Sequence, residues 1–94
     1  MKKHTSIYLS EMGYDETDFI ECEVVECHKK AVDIHHIENR KAGGSKDKDT
    51  IQNLMALCRE CHYILGDRKS TKEFLIKCHQ IRLNERNVNS NRPS

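Results

Sequence analysis

Residues 53–62 read Asn53-Leu54-Met55-Ala56-Leu57-Cys58-Arg59-Glu60-Cys61-His62. An apolar segment runs straight into a C-x2-C pair followed at once by a histidine. The apolar part, with a turn around Asn53, predicts a short strand through Met55–Leu57. A helix is expected to start near Cys58–Cys61 and to run to Leu65, where Gly66 would end it. Thirty residues upstream, Cys22-Glu-Val-Val-Glu-Cys27 is a second close pair. Two such knuckles suit one tetrahedral metal held by Cys22, Cys27, Cys58 and Cys61, with zinc the natural ion for soft thiolates. The competing reading is four buried or free thiols. Cys78 is left over and falls on an apolar helical stripe, as a small core residue would.

Such a staple answers a thin core. Apolar residues and glycine together number 35 of 94, below the roughly 45–50% of ordinary domains. The length allows one small domain, and small chains with thin cores need a metal, disulfides or a partner. Twenty Leu, Ile, Val and Phe and a net charge of +1 argue against full disorder. No apolar run approaches the ~20 residues of a membrane span. No apolar segment follows Lys2-Lys3, so no secretory signal is visible, and a reducing cytoplasm is expected, where cysteines bind metals or do chemistry. Charge is uneven. Two Lys against seven acids give −5 over residues 1–27, and fourteen Lys and Arg against eight acids give +6 over the rest. The positive part could face a nucleic-acid backbone.

Working outward, Ala31-Val-Asp33-Ile-His35-His36-Ile37 reads as a strand. A polar loop follows over residues 38–50, with Gly43-Gly44 and several Lys. Ser70-Thr-Lys-Glu73 fits a capping box opening a helix over 71–85. Residues 7–20 read as an arm turning near Gly13, with Ile7, Tyr8, Leu9, Met12 and Phe19 available to pack, and no helix is assigned there. His28 and His79 read as surface or packing residues and His4 as part of a mobile end.

His35-His36-Ile37, Gly43-Gly44, Asn53-Leu54 and Leu57-Cys58-Arg-Glu-Cys61-His62 together resemble the HNH nuclease family. Cys22 and Cys27 fit its zinc-stapled branch. The resemblance covers roughly residues 22–66. It implies an α+β fold, a small ββα-metal (HNH, His-Me finger) domain over residues 22–85. An N-terminal arm (1–21) would pack on it, a C-terminal helix would close it, and a disordered tail (86–94) would follow.

It further implies a metal-dependent DNA endonuclease. His36 would be the general base, and His35 and His62 would hold a catalytic divalent ion (Mg²⁺, Mn²⁺, Ni²⁺ or Zn²⁺) besides the structural Zn²⁺. Asn53 would orient the base or brace the loop. A neutral imidazole can take a proton from water near pH 7, and a cation against the phosphate offsets the charge that gathers there. Neighbouring strand residues point to opposite faces, so His35 and His36 can serve one phosphate only at a strand end, twist or bulge. Arg40, Lys41, Lys46, Lys48 and Arg59 are the expected phosphate contacts. The rival expectations are a non-catalytic zinc-binding nucleic-acid module and, more weakly, a redox-sensing thiol protein. By family analogy, a phage, restriction or mobile-element setting in a bacterial or phage-infected cell is expected.

Overall fold

The computed structural model describes residues 2–38, 49–66 and 68–88. Two antiparallel strands, β1 (Asp33–His36) and β2 (Leu54–Leu57), form its centre. Helix α1 (Lys3–Met12) precedes them, and α2 (Arg59–Leu65) and α3 (Lys72–Glu85) follow. The loop positions Arg40, Lys41, Gly43, Gly44, Lys46 and Lys48, and the tail beyond Val88, lie outside the described residues.

The register pairs Asp33 with Leu57, Ile34 with Ala56, His35 with Met55 and His36 with Leu54. All four β2 residues are buried, because both faces of this small sheet are covered. Side-chain alternation splits them between two clusters. Met55 and Leu57 join Cys22, Ile37, Cys58, Leu75 and Cys78 on one face. Leu54 and Ala56 join Tyr8, Met12, Ile51 and Leu83 on the other. Helix α3 supplies Leu75 and Cys78 to the first cluster and Leu83 to the second, so one helix spans both halves of the core. Cys78 is the core residue that its place on the stripe implied.

Between the clusters lies a buried polar network. Glu23 accepts from the Tyr8 hydroxyl and, at 3.0 Å, from Ala56 N–H. Its other oxygen lies 2.6 Å from His79 Nδ1, while His79 Nε2 donates to Ile51 O at 2.6 Å. Four segments far apart in sequence meet in it. A buried carboxylate persists only when so satisfied.

Three local expectations need correction. Residues 3–12 are helical, although Lys2 at the N-cap makes no side-chain bond. The helix stands on the packing of Tyr8, Leu9 and Met12 and ends at Gly13 (φ 80°), a left-handed position that suits glycine. Ser70 does not cap α3. Lys69–Thr71 form a 3-10 turn, α3 begins at Lys72, and the Thr71 hydroxyl donates back to Leu65 O at the end of α2. His4 lies on α1 against the sheet rather than in a free end.

Candidate metal centre and active site

The four-cysteine set forms first, from two knuckles. The longer one closes through Cys27 N–H donating to Val24 O at 2.9 Å, with Glu26 in left-handed backbone (φ 66°). Cys22 N–H donates to Lys29 O, and Glu21 bridges to Lys30. The shorter knuckle opens α2: Cys58 is its N-cap, and its sulfur accepts from Cys61 N–H at 3.4 Å. The four sulfur atoms lie within 4.8 Å of one another. Cys27 Sγ is 3.9 Å from both Cys58 Sγ and Cys61 Sγ. A zinc ion with Zn–S bonds of about 2.3 Å implies sulfur–sulfur edges of about 3.8 Å, so this set fits a tetrahedral ion. Burial raises the pKa of Cys22, and burial with the neighbouring thiols raises that of Cys61. A divalent cation is what would hold such crowded sulfurs as thiolates. All five cysteines are free, so no disulfide competes.

The histidines divide. Asp33 and His35 share one face of β1, the face of Met55 and Leu57. There His35, 5% exposed, meets His62 of α2, with ring centroids 4.9 Å apart and planes at 59°. His62 Nδ1 lies 3.2 Å from Asp33 Oδ2. Two imidazoles sharing one ion at about 2.1 Å place their centroids roughly 4.6–5.3 Å apart, so the pair can hold a cation between them. Gly66 makes the approach possible. Its φ is ordinary (−72°), but a Cβ there would stand 2.6 Å from His62 Cδ2 and 3.4 Å from His35 Cε1. An open cavity of about 620 Å³ borders His62 of this pair, lined by Val32, Asp33, Arg59, His62, Tyr63 and Gly66, with His35 buried behind His62.

His36 lies on the opposite face. Pairing is regular along all of β1, with no bulge, and His36 is its last residue. Its ring tilts against that of His4 (centroids 4.6 Å apart), and its Nε2 lies 2.8 Å from Asp49 Oδ1. Burial and the adjacent His36 push the His4 pKa below its ordinary value. Asn53 joins the end of β1 to the chain beyond it. Its Oδ1 accepts from Glu38 N–H at 2.7 Å, its Nδ2 donates to Glu38 O, and its carbonyl accepts from Ile37 N–H. The amide therefore braces the backbone at Glu38.

A family model described as HNH endonuclease matches residues 22–68, half of the chain. The chain belongs to the HNH endonuclease family. Compared with curated proteins and with solved structures, it matches none significantly. The two-stranded antiparallel sheet followed by α2, with four clustered cysteines, is the ββα-metal fold expected of an HNH domain. HNH domains act on nucleic acids, which makes a nuclease or nucleic-acid-binding function the general reading. No helix among the described residues is long and apolar enough to cross a membrane.

Sequence reasoning missed Glu23, His79, His4 and Asp49. His79 stood among packing residues without a partner. The signal available was its place beside Cys78 on the stripe that buries Leu75 and Leu83. His28 is exposed and pairs with Glu21 at 2.7 Å, a surface contact as expected. Arg59 is exposed beside the cavity.

Proposed function

We propose that this protein is a metal-dependent DNA endonuclease that hydrolyses phosphodiester bonds, folded around a four-cysteine zinc ion. The observation that carries the reading is the His35–His62 pair, with ring centroids 4.9 Å apart, whose His62 lines an open cavity together with Arg59. A divalent ion held by those two rings would polarise the scissile phosphate and stabilise charge on the departing 3′ oxygen. Mg²⁺, Mn²⁺, Ni²⁺ and Zn²⁺ are the candidates, with imidazole ligands favouring the transition metals.

The chain's own groups supply the rest. His36 takes the proton of the attacking water. Asn53 keeps the backbone at Glu38 in place, and with it the end of β1. Asp33 orients His62, as carboxylates do for metal-binding histidines. Arg59 meets a phosphate, together with Arg40, Lys41, Lys46 and Lys48 of the Gly-Gly loop. Because His35 and His36 lie on opposite faces, the phosphate must approach the end of β1 rather than the sheet's flank.

That same separation favours a second reading, a zinc-bound nucleic-acid-binding module without catalysis. The substitution His36→Ala distinguishes them. On the endonuclease reading it abolishes cleavage while zinc content and DNA affinity persist. If the unaltered protein binds DNA yet nicks none in any divalent ion, the module reading stands instead.

A further inference from the structure

We propose that Asp49 and His4 are positioning residues for His36, and that Nδ1 of His36 is the nitrogen that faces the attacking water. The chemistry rests on the endonuclease reading above; the geometry rests on contacts of its own. Nε2 of His36 lies 2.8 Å from Asp49 Oδ1, and the two side chains are only 15% and 10% exposed, so water competes weakly for that bond. A carboxylate offers only lone pairs, so the ring nitrogen must donate. Proton placement on one nitrogen of a neutral imidazole leaves the lone pair on the other. Asp49 therefore holds His36 as the Nε2–H tautomer and directs its basicity to Nδ1.

His4 completes the arrangement from outside the family-matched segment. It sits on α1, and its ring lies across that of His36 at 4.6 Å, limiting the ring's rotation about its side-chain bonds. Asp49 stands two residues before the Ile51–Asn53 turn, so one stretch of chain holds both the His36 ring and, through Asn53, the Glu38 backbone. In the hydrolytic step an O–H bond of water breaks and its proton passes to Nδ1. The water oxygen bonds phosphorus, and the P–O3′ bond breaks with its electron pair leaving on the 3′ oxygen, which solvent protonates. Nε2 keeps its proton, and Asp49 stabilises the imidazolium without itself being protonated, as in acid–histidine dyads of hydrolases.

Long-range ¹H–¹⁵N NMR of the ring nitrogens in zinc-loaded protein reads the tautomer directly, with His36→Gln assigning the signals. The expected result is a protonated Nε2 and a bare Nδ1, with averaging between tautomers in Asp49→Ala. A His36 protonated at Nδ1, or a ring unaffected by Asp49→Ala, overturns the proposal. In cleavage assays Asp49→Ala should lower kcat by roughly 10–100-fold with KM nearly unchanged, and Asp49→Glu should recover part of it. His4→Ala should lower kcat by a smaller factor, and His4→Phe, which restores a ring, should recover part of that loss. A loss confined to KM counts against the proposal, since a mere loop tether would produce it. Absence of cleavage in every divalent ion removes the endonuclease reading alone; the tautomer still decides the Asp49–His36 pairing.

Discussion

Glu23 and His79, 56 residues apart in sequence, meet at 2.6 Å with side chains 0% and 1% exposed. Glu23 follows Cys22 directly, so this pair fastens the first cysteine knuckle to α3, and through Tyr8 to α1. Loss of one partner leaves the other's polar atoms buried without a match. His79→Ala and Glu23→Ala should each cost about 3–5 kcal/mol. Urea unfolding of the zinc-loaded protein measures this. A cost near that of a surface substitution would mean that water replaces the lost partner.

The Tyr8 hydroxyl donates to Glu23 and is fully buried. Burial first, and then the Glu23 carboxylate, raise its pKa far above the ordinary value of 10.0. Its raised folded pKa makes its contribution complete below about pH 10 and lost progressively above it, as the unfolded tyrosine ionises. Stability should therefore fall with pH from about 10 upward. Tyr8→Phe should be less stable at neutral pH, because Glu23 loses a donor, but should show a shallower alkaline slope. Equal slopes in the two proteins would show that Tyr8 ionises freely in the fold.

Removal of the cysteine-bound metal should unfold the chain, since a structural zinc ion contributes folding free energy directly. Chelator titration followed by far-ultraviolet circular dichroism should show helix loss in step with zinc release. Cys22→Ser and Cys61→Ser should fail to retain zinc. Cys78→Ala should retain it and lose about 1 kcal/mol, as an ordinary core truncation does. Retained helix after complete zinc loss would show that the apolar clusters suffice.

At Gly66 a methyl group would stand 2.5 Å from His62 O and 2.6 Å from His62 Cδ2. Gly66→Ala should therefore displace the end of α2 and turn the His62 ring away from His35, costing about 1–3 kcal/mol. Zinc content should be unchanged, because Cys58 and Cys61 lie at the other end of α2. A drop in Mn²⁺ affinity at constant zinc content is the expected signature. Unaltered Mn²⁺ binding would mean that the close packing at Gly66 does not matter to the pair.

Much of this arrangement was legible because chemistry marks it locally. The C-x2-C pair, His62 and the β-branched run into His35-His36 announce α2 and β1. The turn at Asn53 announces β2. The spacing of the two cysteine pairs suggests one shared ion against a rival of free thiols, and the fold brings the four sulfurs together. Helix α1 was hidden because its interior carries Thr5, Ser6 and Ser10 and its N-cap Lys2 offers no capping oxygen. Only tertiary burial of Tyr8, Leu9 and Met12 makes it helical. Ser70-Thr-Lys-Glu73 matched the capping pattern, yet Thr71 spends its hydroxyl on Leu65 O, so the turn that joins two helices prevailed over a local cap. Glu23, His79 and Asp49 acquire partners only across long stretches of chain, and no short motif announces such pairs. The side of the sheet that His36 takes follows from a strand register that runs unbroken to its end.

Cleavage of a supercoiled plasmid tests the two-cation reading most directly. The protein is first treated with a chelator mild enough to spare the cysteine-bound zinc, and then assayed with Mg²⁺, Mn²⁺, Ni²⁺ and Zn²⁺. Nicking or linearisation should appear with at least one added ion, be absent without it, and vanish in His35→Ala and His62→Ala while their zinc content holds. Undiminished cleavage by those two variants, or DNA binding by the intact protein with no cleavage in any of the four ions, would contradict it.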